Sequence, residues 1–259
     1  MKRRDFLLLA KECGIEKAVP FSQRAWRRRH YAVNPGKLCS GLTHFWLGEM
    51  LCRRGPLRQL RAPNNDALER IRQLQFHSYY PSFPRGHLLS DVDRMLLKRK
   101  YGTCDWPAIS RQIKEQSGGD SILYDIAELY DYDSAAVTTF EHFPGVLPDF
   151  SSPLPGSAAL VVLRYRQSGV ATGHRIAYYL SKSRHSYFFD PNAGAILESR
   201  ESVFHKWLSA YHEASPYPVI TSPKDGPALK LYLLNGASMS LTMKRSIVDR
   251  RHPQSAKNA

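Results

Sequence analysis

Hydrophobic residues in the first half of the chain recur at the spacing of an α-helix. Residues 40–52 carry a broad apolar stripe that ends at Gly55 and Pro56. Further runs at this spacing predict helices around residues 68–74, 95–97 and 106–116. Polar residues suited to the first turn of a helix precede two of these runs: Asn65 or Asp66, and Ser90 with Asp93. The first half of the chain is therefore predicted to be helical.

The second half of the chain changes to short stretches rich in Val, Ile, Leu, Tyr and Phe, separated by turn-forming residues. These stretches predict strands over residues 158–165, 175–181, 186–190 and 229–234. One late helix is predicted over residues 201–214. Strands that follow one another without intervening helices favour an antiparallel sheet. The fold class is therefore predicted to be α+β, with a helical half followed by an antiparallel sheet.

The composition is that of a folded protein rather than a disordered one, with 259 residues, of which 42% are hydrophobic and 23% charged. Three parts are predicted: a basic N-terminal segment over residues 1–30, one domain over residues 31–240, and a basic, flexible tail over residues 241–259. The longest apolar stretches fall short of the roughly 20 residues that a membrane helix requires. The N-terminal apolar run is also too short for a signal peptide, so export by that route is not expected.

The net charge of +14 favours anionic partners, but the charge is unevenly distributed. Residues 1–30 are rich in Lys and Arg, whereas residues 105–149 carry nine acidic and two basic residues. The arginine run at residues 27–29 is consistent with an anionic membrane surface or with a solvated face. Nucleic-acid binding is disfavoured, because the nearby aromatic residues are not interleaved with the basic ones. The acidic stretch is interpreted as a solvated loop or as an attractor of a basic peptide.

The four cysteines form no Cys-x-x-Cys pair, so no zinc site or dithiol motif is predicted, and no cofactor or metal is expected. Cys39 lies where a glycine-containing turn meets the helix predicted over residues 40–52. The positive end of a helix favours thiolate over thiol, so Cys39 is the candidate nucleophile. The remaining cysteines lie at a predicted helix end, in the last turn of the same helix and in a loop: Cys13, Cys52 and Cys104.

A thiolate nucleophile requires an imidazole and a group that orients the imidazole. His174 follows a strand break at Thr172-Gly173, and Asp190 ends the next predicted strand. In an antiparallel hairpin the start of one strand and the end of its partner are neighbours, so His174 and Asp190 are predicted to touch. The backbone N–H of Cys39 and the side chain of Asn34 are predicted to form an oxyanion pocket. His44 is interpreted as a surface or structural residue.

Three segments around these residues resemble the motif blocks of the YopT/AvrPphB family of papain-like bacterial effector proteases: GKLCSGLTHFWL, GHRIA and DPNAG. The resemblance implies a papain-like catalytic domain over residues 31–240. It implies that Cys39 is the nucleophile, His174 the base and acid, and Asp190 the orienting carboxylate. Asn34 would be the oxyanion donor.

The same resemblance implies a biological setting. Members of the family enter the host-cell cytoplasm by type III secretion, which is a non-Sec route. They cleave host proteins such as prenylated Rho GTPases or receptor-like kinases, so a host protein is the expected partner of this chain. Membrane anchoring by acylation is not expected, because no glycine follows a plausible cleavage point with the Ser or Thr that myristoylation requires.

Two alternatives to a protease remain open from the sequence alone. A deamidase, transglutaminase or acyltransferase uses the same thiol, imidazole and carboxylate through a thioester. A non-enzymatic basic protein that binds nucleic acid or anionic lipid is the other alternative. It is ranked last because the sequence contains no helix-turn-helix, zinc-finger or RNA-binding aromatic motif.

Overall fold

The computed structural model describes residues 3–31, 38–51, 55–79, 91–117, 137–142, 156–167, 170–214 and 229–234. These residues fall into two compact units, one drawn from Met1–Phe83 and Thr138–Gly236 and the other from Pro84–Val137 and Ala237–Ala259. The predictions for Asn34, Cys52, the tail over residues 241–259 and most of the acidic stretch lie outside the described residues.

Six described helices belong to the first unit: α1 (Arg3–Glu12), α2 (Gln23–His30), α3 (Cys39–Leu51), α4 (Pro56–Arg61), α5 (Asn65–Tyr79) and α8 (Glu201–Glu213). The second unit contains α6 (Asp91–Tyr101) and α7 (Trp106–Ser117). The helix predicted over residues 40–52 is confirmed as α3, shifted by one residue. A helix end near Cys13 is also confirmed, because α1 stops at Glu12 and Gly14 takes a φ of 85°.

The described strands form one seven-stranded sheet in the order β1-β6-β5-β4-β3-β7-β2. In chain order they are β1 (Lys17–Pro20), β2 (Val137–His142), β3 (Ala158–Gln167), β4 (Val170–Leu180), β5 (His185–Asp190), β6 (Gly194–Arg200) and β7 (Leu229–Leu234). The pairs β1–β6, β6–β5, β5–β4, β4–β3 and β3–β7 are antiparallel. The α+β fold class with an antiparallel sheet is therefore confirmed.

The sheet contains strands that the hydrophobic pattern does not predict. β1 lies in the half predicted to be helical and pairs with β6, which was not predicted either. β1 has only four residues and ends in Pro20, so it is too short to show an alternating pattern. Its position at the edge of the sheet tolerates this proline, which cannot donate a ladder hydrogen bond.

The predicted start of β4 at Arg175 is wrong, because the strand begins at Val170. The expected break at Thr172-Gly173 does not occur, and Gly173 lies opposite Arg164 in the continuous β3–β4 ladder. A strand can accommodate a glycine when the cross-strand hydrogen bonds continue through it. His174 consequently lies inside β4 rather than at its start.

Adjacent phenylalanines of β5 divide the core between the two faces of the sheet, because successive side chains of a strand point in opposite directions. On one face, the ring centroid of Phe188 lies 4.9 Å from Trp207 of α8 and 6.4 Å from Phe6 of α1. On the other face, Phe189 stacks on Trp46 of α3 at 5.7 Å. This second contact places α3 against the sheet.

The first 30 residues contribute α1, β1 and α2 to the first unit. Phe6 and Ala10 of α1 are fully buried in the core, and Trp26 of α2 donates from Nε1 to the carbonyl oxygen of Leu60, 2.6 Å away. The predicted division of the chain at residue 30 stays a prediction. The described part of this segment nevertheless packs with the elements that follow it.

Gly41 lets α3 and α5 approach closely, and its replacement by alanine is expected to destabilise the protein. A Cβ atom at Gly41 would lie 2.2 Å from the carbonyl oxygen of Ile71, which is backbone and cannot rotate away. We expect Gly41→Ala to lower the free energy of unfolding by about 2–3 kcal/mol in urea titrations. The matched control is Gly55→Ala, where nothing lies within 4 Å of the added atom. Equal stability of the two variants would contradict this packing.

Candidate active site

The candidate nucleophile lies at the start of a helix that other elements hold in place. Cys39 is the first residue of α3 and is 8% exposed. Two glutamine side chains bind the backbone around it: Gln23 Oε1 accepts from Leu38 N at 3.0 Å, and Gln75 Oε1 accepts from Gly41 N at 2.8 Å. The sulfur therefore lies at the positive end of α3, as the sequence predicts, and this position favours a negative charge.

His174 and Asp190 form a buried pair. His174 Nε2 lies 2.7 Å from Asp190 Oδ1, and the two residues are 2% and 1% exposed. The ladder between β4 and β5 ends at the pair Ala177–Phe189. His174 lies on β4 three residues before Ala177, just past the end of that ladder. Asp190, the last residue of β5, can therefore turn its carboxylate toward the imidazole. The structure thus brings the two residues together, although His174 does not open its strand.

The carboxylate of Asp190 is held by further hydrogen bonds. Tyr211 on α8 donates its hydroxyl to Oδ2 at 2.5 Å, and the backbone N–H of Asn192 donates to Oδ1 at 2.7 Å. The backbone N–H of Ala193 donates to the Asp190 carbonyl at 3.2 Å and closes the turn between β5 and β6. The segment DPNAG is therefore a hairpin turn and also the support of the carboxylate.

Cys39 and His174 are hydrogen-bonded to each other through their side chains. Because Nε2 of His174 faces Asp190, Nδ1 is the ring nitrogen that can face the sulfur, and Asn192 Nδ2 lies 3.4 Å from the same atom. The backbone N–H of Arg175 also donates to Cys39. A cysteine that serves only as a core residue packs against hydrocarbon, whereas this sulfur has polar partners.

The ionisation of the three groups is coupled. Burial alone would raise the pKa of the Cys39 thiol, but the hydrogen bond and charge of His174, with the charge of Arg175, hold it below its ordinary value. Burial would lower the pKa of His174, but Asp190 and Cys39 raise it to about 9. Burial would also raise the pKa of Asp190, yet His174 and Tyr211 hold it below its ordinary range. These directions favour a thiolate–imidazolium pair.

Arg175 connects the nucleophile helix to β4. Its Nη1 donates to Ser40 Oγ and to His44 Nε2, which is 2.9 Å away. Thr43 Oγ1 donates to the backbone carbonyl of Arg175 at 3.0 Å. His44 is 1% exposed, so the surface alternative for this residue is wrong and the structural alternative stays a prediction.

The sequence-based predictions give no role to several residues at the site, among them Gln23, Asn192 and Tyr211. Gln23 bridges the nucleophile helix and the β5–β6 turn, because its Oε1 accepts from Leu38 N and its Nε2 donates to Asn192 Oδ1 at 2.5 Å. Asn192 in turn places Nδ2 3.4 Å from His174 Nδ1. The motif DPNAG contains Asn192, whereas no local pattern distinguishes Gln23 or Tyr211.

The pKa shifts predict an unusual alkylation profile for Cys39. Iodoacetamide reacts with the thiolate, so we expect labelling of Cys39 to begin well below about pH 8.5, where an ordinary thiol titrates. A second inflection is expected near pH 9, where His174 loses its proton. The rate is measured by mass spectrometry of the Cys39 peptide. His174→Ala should move the first inflection to higher pH, and a single ordinary thiol titration in the unmodified protein would contradict the ion pair.

Comparisons with protein-family models, with curated proteins and with solved structures give no match. Among the described residues, no group of three or more His, Cys, Asp or Glu side chains could hold a metal ion. In the same part of the chain, no helix is long and apolar enough to cross a membrane.

Proposed function

We propose that this protein is a papain-like cysteine endopeptidase. One observation carries the proposal: a hydrogen-bonded series joins the Cys39 sulfur to the His174 imidazole and the imidazole to the Asp190 carboxylate. A nucleophile, a base that also serves as an acid, and a group that orients the base are the three parts that thiol proteases require. The placement of α3 against an antiparallel sheet is compatible with a papain-like domain.

In the proposed reaction the Cys39 thiolate attacks the carbonyl carbon of a peptide bond, and a C–S bond forms as the carbonyl π electrons move to oxygen. His174 gives its proton to the amine that leaves when the C–N bond breaks, and a thioester remains on Cys39. His174 then takes a proton from water, whose oxygen attacks the thioester and releases the acid and the thiolate. The backbone N–H of Cys39 and the side chain of Asn34 are proposed to stabilise the oxyanion.

The proposed biological role rests on the resemblance of the segments around Cys39, His174 and Asp190 to YopT/AvrPphB-type effectors. On that basis we propose that the protein is a bacterial virulence effector, delivered by a non-Sec route into the host-cell cytoplasm. Its substrate would be a host protein, such as a Rho-type GTPase or a kinase. An anionic membrane surface is a further proposed partner, because the exposed side chains of Arg24, Arg28 and Arg29 share one short helix.

A search for new peptide termini tests the proposal. Host-cell lysate is incubated with the full chain or with its Cys39→Ala variant, and new N-termini are identified by mass spectrometry. Termini that appear only with the unmodified protein would support an endopeptidase. Modified side chains without new termini would instead indicate deamidation or acyl transfer by the same triad, and would overturn the assignment as a protease.

A further inference from the structure

The side chain of Arg175 has no part in the proposed reaction, yet it lies against the helix that carries the nucleophile. Its Nη1 donates to Ser40 Oγ and His44 Nε2. These two acceptors are four residues apart, so they lie on the same face of the first turns of α3. The backbone N–H of the same arginine donates to the Cys39 sulfur.

The charge state of this cluster follows from its hydrogen bonds. A guanidinium group only donates, so Nε2 of His44 must accept, and His44 is then uncharged with its proton on Nδ1. Ser40 is also uncharged. Ser40 and His44 are thus neutral acceptors, and the guanidinium that binds them keeps its positive charge. That charge adds to the positive end of the helix dipole.

We infer that Arg175 is a positioning residue that fixes the first turn of α3 and supplies a permanent positive charge that favours the Cys39 thiolate. This inference rests on the proposed function, because it assigns Arg175 a part in ionising the proposed nucleophile. His174 also stabilises the thiolate, but it must lose its proton during the reaction. Arginine stays protonated throughout, so its contribution persists when the imidazole is neutral.

The charge of Arg175 can be separated from its packing by two substitutions. Arg175→Gln retains a polar side chain but removes the charge, and we expect it to raise the midpoint of Cys39 ionisation by about one pH unit. The rate of iodoacetamide alkylation below that midpoint should fall by about tenfold. Arg175→Lys retains the charge, so its alkylation profile should return toward that of the unmodified protein. Circular dichroism verifies that each variant is folded.

Arg61→Gln is the matched control, because it removes the same charge from an exposed position at the end of α4. Its Cys39 profile should equal that of the unmodified protein. The inference would be overturned if folded Arg175→Gln gave the same Cys39 alkylation profile as the unmodified protein. It would also be overturned if Arg175→Lys failed to restore that profile. An ordinary thiol titration in the unmodified protein would instead overturn the proposed function, so the two failures are distinguishable.

A measurement on the unmodified protein covers the case in which Arg175→Gln does not fold. Nitrogen-15 NMR of labelled histidine reports which ring nitrogen carries the proton. We expect His44 at neutral pH to carry its proton on Nδ1 and to leave Nε2 as the acceptor of Arg175. A proton on Nε2 would show that the guanidinium is not bound as described and would overturn the inference.

Discussion

Cys39→Ala is expected to abolish cleavage of the proposed host substrate, with a fall in kcat/KM on the order of 10⁴-fold or more. The reason is that the methyl group of alanine cannot form the covalent intermediate that the Cys39 sulfur carries in the proposed reaction. His174 and Asp190 would remain in contact, since their 2.7 Å hydrogen bond does not involve the sulfur. The measurement is the rate of appearance of a cleaved peptide identified in the search for new termini, with folding verified by circular dichroism.

The controls for this variant are Cys13→Ala and Cys104→Ala. Cys13 lies at the end of α1 beside the core, and Cys104 donates to the carbonyl oxygen of Arg94 in the second unit. Neither is placed at the site, so both variants should cleave at the rate of the unmodified protein. Cleavage by folded Cys39→Ala at the unmodified rate would show that the nucleophile is another residue.

Removal of the carboxylate at position 190 is expected to have the second-largest effect on kcat/KM. Asp190→Ala deletes the acceptor that orients His174, and kcat/KM should fall by about 10³–10⁴-fold. Asp190→Asn retains an oxygen that can accept from His174 but loses the negative charge. Because that charge, together with Cys39, raises the pKa of His174 to about 9, the alkaline limb of the activity profile should move to lower pH in the asparagine variant.

Burial and the charge of Asp190 act on the pKa of His174 in opposite directions, and this determines which way the alkaline limb moves. Burial lowers the pKa of His174 and the charge of Asp190 raises it. The pKa of His174 should therefore fall when that charge is lost. The proposed reaction requires the protonated imidazole, so activity should be lost at a lower pH than in the unmodified protein. Tyr211→Phe, which removes one hydrogen bond from Asp190 but keeps its charge, is the control for disturbed packing. An unchanged alkaline limb in Asp190→Asn would count against the orienting role.

Local patterns of hydrophobic residues predicted those helices and strands whose periodicity is contained in one segment of the chain. The apolar stripe over residues 40–52 became α3, and the run at residues 229–234 became β7 with the same bounds. These predictions succeed because helix and strand impose periods of 3.6 and 2 residues on the sequence itself. The proximity of His174 and Asp190 was also predictable, since adjacent strands of a hairpin constrain each other through a short connection.

Elements and contacts that depend on distant partners were not predictable in this way. β1 is too short to carry a pattern, and it is a strand because β6, far along the chain, pairs with it. The same reasoning applies to the side chains around the triad. Gln23 contacts Asn192 across 169 positions, and Arg175 contacts Ser40 across 135. Such contacts depend on the packing of α2 and α3 relative to the sheet.

The sequence by itself determined the fold class, the helix that begins at Cys39, and the hairpin that carries His174 and Asp190. Each of these follows from residues that are close in the chain. Only the tertiary structure decided which groups surround the triad: Tyr211 on the carboxylate, Gln23 between helix and turn, and Arg175 on the first turn of α3. The physical reason is that a hydrogen bond between distant residues depends on sheet register and helix packing, which leave no periodic trace in the sequence.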